Sequence, residues 1–481
     1  MGGVRNGAPA EPARRPNIVL LVSDDHGFGD LGIRGTDPAV RTPHLDALAA
    51  DGRVYDQAYV SAPICSPSRA GLITGAHQAR WGAHWFTDSQ MAPEAVPTIA
   101  EQLRDQGYRT GYFGKVHYGP DEEGGRACPP HHGFETSFYG LAAHSMGRLH
   151  YLHHSRAHEE AYGEAARVHG VSPMWEGTEQ VDCERHLTEE FIERTIAFAD
   201  APDERPFFAM VAFNAVHNFT WQLPRHELDA RGLPQHPDFD PDTSEYLDWY
   251  DGAVEPNLEH GREYYLAQLE IMDREIGRLR AHLEASGLAE DTIIVYMTDN
   301  GGSHCNYGSN APLLGSKYTL FEGGVRTPMI LSWPGVTTPG STSQALVSSL
   351  DLAPTFLAAA GAERAEGAVC DGIDLRPSLE DPARPVHDVL HFDTGFQWAV
   401  RTPEWKLRWA DPGAPQRASL LQVEHTDIGQ GLRLSPASPS LAGVDEADDL
   451  AGQHPEIVEE LTAVHEQWLA QMRESARALR S

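Results

Sequence analysis

The chain reads as an α/β protein: a doubly wound, mostly parallel sheet flanked by helices, followed by a smaller C-terminal α+β domain of antiparallel sheet plus terminal helix. Three observations predict this. Continuous apolar runs, the pattern of strands buried on both faces, alternate with stretches of helical periodicity. Those runs end abruptly in residues able to do chemistry. Near Pro382 to Pro385 the texture changes to short, interrupted apolar runs, which suit an antiparallel meander. The expected organisation is an N-terminal segment (1–16), a main domain (17–383) and a C-terminal domain (384–481).

Asn17 to Val22 is the first buried strand, and it ends in Ser23-Asp24-Asp25-His26-Gly27. Thr42 stands as an N-cap before Pro43 at the first helical position, and Leu45, Leu48 and Ala49 carry a helix to Gly52. Cys65-Ser66-Pro67-Ser68-Arg69 predicts a turn into a short helix with Cys65 at its start. Free N–H groups and a positive dipole end suit an anion there, and a bare thiol would read as a nucleophile of lowered pKa. Ile99 and Leu103 mark a helix that stops near Gly107; Tyr108 to Phe113 is then a strand running into Gly114-Lys115-Val116-His117. Pro206 to Phe213 is another, ending in Asn214-Ala215-Val216-His217. Leu266, Leu269, Met272, Ile276, Leu279 and Leu283 repeat at helical spacing, and Thr292 to Met297 is a strand ending in Thr298-Asp299-Asn300-Gly301-Gly302. Pro328 to Trp333 is a further strand and Asp351 to Ala360 a helix. Val389 to Phe392, Gln397 to Val400, Trp405 to Trp409 and Ala418 to Val423 form the meander; Ile457, Leu461, Val464, Trp468 and Met472 line one face of the terminal helix.

A formal charge of −33 disfavours nucleic acid and anionic membrane surfaces as partners, so any anion site has to be locally positive. Of 37 Lys plus Arg only Lys115, Lys317 and Lys406 are lysines, which makes each one informative. Five scattered cysteines lack metal-type spacing and give no disulfide framework. Met1 to Pro16 has no apolar signal core, so as written the chain reads as cytoplasmic, with export open only to a form carrying a leader. Oligomeric state is not legible.

In a doubly wound sheet, ligands bind at the edge where strand C-termini lie. Asp24, Asp25, Lys115, His117, His217, Asp299 and Asn300 all follow strand ends and are expected to converge. Within that set Asp24, Asp25, Asp299 and Asn300 offer oxygen ligands without Cys or His, which selects a hard divalent cation, Ca²⁺ better than Mg²⁺. Taken singly, each acidic pair reads more readily as a turn or a cap. Lys115 and His117, two apart, would share a face on an extended backbone. Residues 118 to 260 carry His144, Trp221, Tyr246, Trp249 and Tyr250 among their loops; such insertions commonly shape substrate pockets, although each residue alone reads as packing.

Cys65-x-Pro67-x-Arg69, followed by Gly71-Leu72-x-Thr74-Gly75, resembles the signature of the type I sulfatases of the alkaline phosphatase-like superfamily. The Asp-Asp pair, Gly114-Lys115-x-His117, Asp299-Asn300-Gly301-Gly302 and Gly315-x-Lys317-x-x-x-x-Glu322-Gly323-Gly324-x-Arg326-x-Pro328 occur in that family's order, over roughly residues 16 to 380. Val116 departs from the aromatic residue common there, and the prolines often found around His217 are missing. The resemblance implies that Cys65 is oxidised to formylglycine by a formylglycine-generating enzyme and that its hydrate is the nucleophile. It implies one Ca²⁺ held by Asp24, Asp25, Asp299, Asn300 and residue 65. Lys115, Lys317 and Arg69 would offset charge, Asp299 accept the nucleophile's proton, His217 with Lys317 serve the leaving oxygen, and His117 take the last hydroxyl proton. The expected substrate is a small sulfated mono- or oligosaccharide. A phosphonate monoester or phosphodiester hydrolase of the same superfamily, and a silent carbohydrate-binding relative with unmodified Cys65, are the alternatives.

Overall fold

A ten-stranded sheet organises the main domain of the computed structural model. Across it the strands run in the order Ser341–Ser343, Arg53–Tyr55, Met329–Ser332, Thr292–Thr298, Asn17–Ser23, Phe207–Ala212, Arg109–Lys115, Thr136–Gly140, Met174–Glu176 and Glu179–Val181. The structure describes residues 15–480 apart from 89, 121, 143–146, 363–368, 382, 412–429 and 438–445. His144, the expected strand 418–423 and nearly all of the N-terminal segment therefore lie outside the described residues.

The five central strands, from Thr292–Thr298 to Thr136–Gly140, are mutually parallel, so their C-terminal ends share one edge. Met329–Ser332 runs antiparallel to Thr292–Thr298 and brings the chain before it to that same edge. Alternation explains the continuous apolar runs: Ile18, Leu20 and Val22 pack into one core, Val19 and Leu21 into the other. Each such burial is worth about 1.5–3 kcal/mol. The helix Gly261–Ala285 covers the second face through Leu269, Met272, Ile276 and Leu279.

One local expectation is corrected here, and another holds in position but not in its bond. Lys115 is the last residue of its strand rather than past its end. Thr42 occupies the N-cap position of Pro43–Asp51, but its hydroxyl makes no cap bond to that helix. The free N–H groups of His44 and Leu45 instead donate to Asp273 on the long helix, at 3.1 and 2.8 Å.

The C-terminal domain is an antiparallel sheet of Leu390–Asp393, Gln397–Arg401, Trp405–Ala410 and Gly431–Pro436 with the helix Pro455–Ala478. It is clasped to the main domain by Glu322, whose carboxylate accepts from Lys406 Nζ at 2.8 Å and from the Tyr59 hydroxyl at 2.5 Å. Among the described residues no helix is long and apolar enough to cross a membrane.

Candidate active site

The central strand delivers Asp24 and Asp25 to the shared edge, and backbone bonds staple that turn to its neighbours. Asp24 N–H donates to Ala215 O at 2.8 Å, Val216 N–H to Asp24 O at 2.7 Å, and Asp299 N–H to Ser23 O at 3.1 Å. Asp25 takes a positive φ of 59°, a conformation Asp tolerates better than most residues, and its N–H donates to Asp299 Oδ1 at 3.3 Å. The two glycine-rich motifs meet backbone to backbone: Gly301 N–H donates to Gly324 O at 3.0 Å, and Lys317 N–H to Gly302 O at 3.1 Å. A Cβ at position 301 would stand 1.8 Å from Gly323 O, which is why the approach requires glycine.

The acids and cations interlock. One oxygen each of Asp24, Asp25 and Asp299 lie within 4.8 Å of one another, and so do Asp24, Cys65 Sγ and a His217 ring nitrogen. Lys115 Nζ pairs with Asp24, Lys317 Nζ with Asp25 at 2.8 Å, and Arg69 Nε with Asp299 at 2.6 Å. Asn300 Nδ2 donates to Asp25 Oδ1 at 2.6 Å. His217 Nε2 lies 3.8 Å from Asp25 Oδ2. Cys65, Arg69, Lys115, His217, Lys317 and the metal-type residues are thus brought together, all at most 6% exposed.

Burial opposes ionisation at Asp299, but Arg69 and the two lysines outweigh it and hold its carboxyl below the usual carboxylate range. Burial pushes Asp24 up to about 7, reinforced by Asp299 and only partly opposed by Lys115 and Arg69. Burial, with the charges of Lys317, Lys115 and His117, holds His217 neutral. At Lys317 burial works against the charge, yet Asp25 overrides it and the side chain stays an ammonium.

Two sequence expectations fail at this site. Cys65 does open the helix Cys65–Thr74, but burial raises its thiol above the ordinary value in spite of Lys317 and Lys115. The helix N-terminus therefore does not make it a thiolate. His117 does not share an extended backbone with Lys115; it adopts φ 49° and its ring packs on Gly147, where a Cβ would come within 2.4 Å of Cε1.

Sequence reasoning also missed Asn306 and Asn310. Asn306 Nδ2 donates to Val216 O at 2.6 Å and lies 3.5 Å from Asp25 Oδ2. Asn310 Oδ1 accepts from Gly302 N–H at 2.8 Å and Phe28 N–H at 3.3 Å. Asn306 closes the short 3-10 turn His304–Asn306 and Asn310 lies in the loop after it, places where Asn is an ordinary residue, so no local signal marks them.

The donor set suits a hard cation. Asp24 Oδ1 and Asn300 Oδ1 are buried and have no hydrogen-bond partner among the described residues. Orphaned acceptors are costly unless something positive meets them. Three carboxylates already face three cationic side chains, so a divalent ion would leave the site net positive inside a strongly acidic protein.

A family model described as Sulfatase matches residues 16–362. The chain is 28% identical over 424 residues to arylsulfatase J of Mus musculus, covering 83% of this chain and 65% of that one. It is 30% identical over 433 residues to N-acetylgalactosamine-6-sulfatase of Canis lupus familiaris, covering 84% and 75%. Among solved structures, the fold matches the crystal structure of Ps i-CgsB in complex with k-i-k-neocarrahexaose with a TM-score of 0.74 at 24% identity, over 95% of this chain and 93% of that chain.

Proposed function

The chain belongs to the sulfatase family, a family of sulfuric ester hydrolases, and from that premise we propose that it cleaves a sulfate ester of a carbohydrate at the rim holding Asp24, Asp25, Cys65, Asp299 and Asn300. The observation that carries this reading is the meeting of three carboxylates, three paired cations and Cys65 within a few ångströms, from segments up to 293 residues apart. The sugar is supported by the canine relative, named for a sulfated amino sugar, and by the aromatic insertion beside the rim.

A calcium ion held by Asp24, Asp25, Asp299 and Asn300, with magnesium the poorer fit, would polarise the sulfuryl oxygens as a Lewis acid. Formylglycine at position 65, made from the thiol by a maturation enzyme, would supply a hydrated aldehyde whose second hydroxyl lets sulfate leave by C–O cleavage. Asp299, kept ionised by Arg69, is the acceptor for a hydroxyl proton. Lys115 and Lys317 offset the negative charge of the sulfuryl group. Lys317 is the proton source at the leaving oxygen, because His217, held neutral, serves as a hydrogen-bond donor rather than an imidazolium. His117 takes the proton that releases sulfate.

The test pairs two measurements on native material. The peptide spanning Cys65 is weighed, with sulfur replaced by oxygen and two hydrogens lost as the expected result. Aryl sulfate and aryl phosphodiester turnover are compared in parallel, with the sulfate preferred. An entirely unmodified thiol favours a silent carbohydrate-binding protein; a larger second-order constant for the diester favours a phosphonate or phosphodiester hydrolase.

A further inference from the structure

Burying a guanidinium without partners is costly, because both its hydrogen bonds to water and its solvation are forfeited. Arg148 is 1% exposed, and among the described residues Nε, Nη1 and Nη2 all lack a hydrogen-bond partner. Its Cζ lies 3.6 Å from the ring centroid of Phe219, a cation–π contact that offsets only about 2 kcal/mol. The acid acting on it, Asp238, is committed elsewhere: it accepts from Trp221 Nε1 at 3.0 Å and Gln222 Nε2 at 2.7 Å and pairs with His150 Nε2 at 2.9 Å. Burial accordingly pulls the Arg148 guanidinium down to about 10.

Two more buried donors nearby are unmet, the Tyr246 hydroxyl and Trp249 Nε1. They belong to the same aromatic group, with Phe219 and Trp249 centroids 4.7 Å apart and Tyr246 and Trp249 5.7 Å apart. A guanidinium, an indole N–H and a phenol beside ring faces make a set rich in donors and short of acceptors. Its complement is an anionic group on a sugar.

The group borders the proposed reaction centre. Gly147 packs on the His117 ring, Phe219 stands two residues past His217, and the Tyr151 hydroxyl donates to His217 O at 2.9 Å and Asn214 O at 3.1 Å. Arg148 is enclosed to the same degree as Lys115 and His217, which are 0% and 6% exposed. We propose that Arg148, with Tyr246 and Trp249, forms a subsite for a second anionic group of the sugar, a carboxylate or another sulfate, beside the ester that is cleaved. The proposal rests on the sulfatase reading and narrows its substrate to dianionic sugars.

The test is calorimetric binding to Cys65→Ala protein loaded with calcium, using a sulfated uronic acid, a disulfated hexosamine and a neutral monosulfated hexose. Either dianionic sugar is expected to bind at least about 10-fold tighter than the hexose, and which one does so identifies the group recognised. Arg148→Met abolishes that preference, and Arg148→Lys, which keeps the charge without the fork, retains part of it. Removing an uncompensated buried charge should also raise the melting temperature of Arg148→Met without sugar, which a merely structural arginine would not do. Equal affinity for all three sugars, or a preference untouched by either variant, overturns the subsite. If the wild type prefers dianionic sugars through Arg148 but hydrolyses no sulfate ester, the subsite stands and the sulfatase reading fails; if it hydrolyses sulfated sugars without that preference, only the subsite fails.

Discussion

Glu322 gives the sharpest handle on how the two domains hold the reaction centre. Besides Lys406 and Tyr59, its carboxylate lies 3.5 Å from Arg326 Nη1 and 3.7 Å from Arg401 Nε. Burial opposes its charge, but Lys406, then Arg401 and Arg326, outweigh that and hold the carboxyl far below the usual range. Lys406 also pairs with Glu446 at 3.0 Å, so three cations face two acids. Glu322→Gln keeps the volume and removes the charge, raising the excess positive charge of the cluster from one to two. Breaking a buried pair from one side costs about 3–5 kcal/mol, and the amide oxygen that still accepts from Tyr59 places the expected loss near ~3 kcal/mol. Glu322→Met with Lys406→Met restores the excess to one and should recover about 2 kcal/mol of that loss. The assay is urea unfolding followed by tryptophan fluorescence. Because the folded pKa is depressed, this stabilisation is present above the ordinary 4.5 and fades as pH falls below it, so wild type and Glu322→Gln should converge in acid. A Glu322→Gln protein within about 1 kcal/mol of wild type, or a double variant no more stable than the single, would refute the reasoning.

Other outcomes follow from the same geometry. Burial moves His77, His132 and His186 from 6.5 to about 4, so the unfolded chain binds protons that the folded one refuses; stability falls as pH drops from about 6.5 to about 4, by up to ~3 kcal/mol per residue, and a urea midpoint unchanged between pH 7 and 5 contradicts this. Gly301→Ala forces Gly323 away and should weaken calcium binding at least about 10-fold by calorimetry; unchanged affinity would mean the two glycine motifs do not set the site. Chelation should lower the melting temperature and added calcium restore it, by an amount equivalent to about 2.7 kcal/mol at 100 times Kd, while Asp24→Asn should show no such response.

The strands were legible because burial on both faces writes continuous apolar runs, and Asp24, Asp25, Asp299 and Asn300 were legible because polar residues interrupt those runs at one edge. Cys65 shows where local reasoning stops. A helix start argues for a lowered thiol pKa, but the burial that reverses it comes from the tertiary structure around that helix. Thr42 holds the expected N-cap position, but the free N–H groups of its helix are met by Asp273, 231 positions away and unmarked in local sequence. Of the three lysines, Lys115 and Lys317, read from their motifs as site residues, pair with Asp24 and Asp25, while Lys406 had no motif and proves to be the domain clasp. Arg148 was invisible because an arginine in a loop reads as solvated until the structure buries it.

The central claim is that residue 65 attacks a sulfate gripped by groups from distant strand ends. It is tested most directly by the rate of sulfate release from an aryl sulfate by Cys65→Ala protein, checked for folding and calcium binding, against wild type. Turnover should vanish while both checks stay intact; release that survives the substitution would contradict the account.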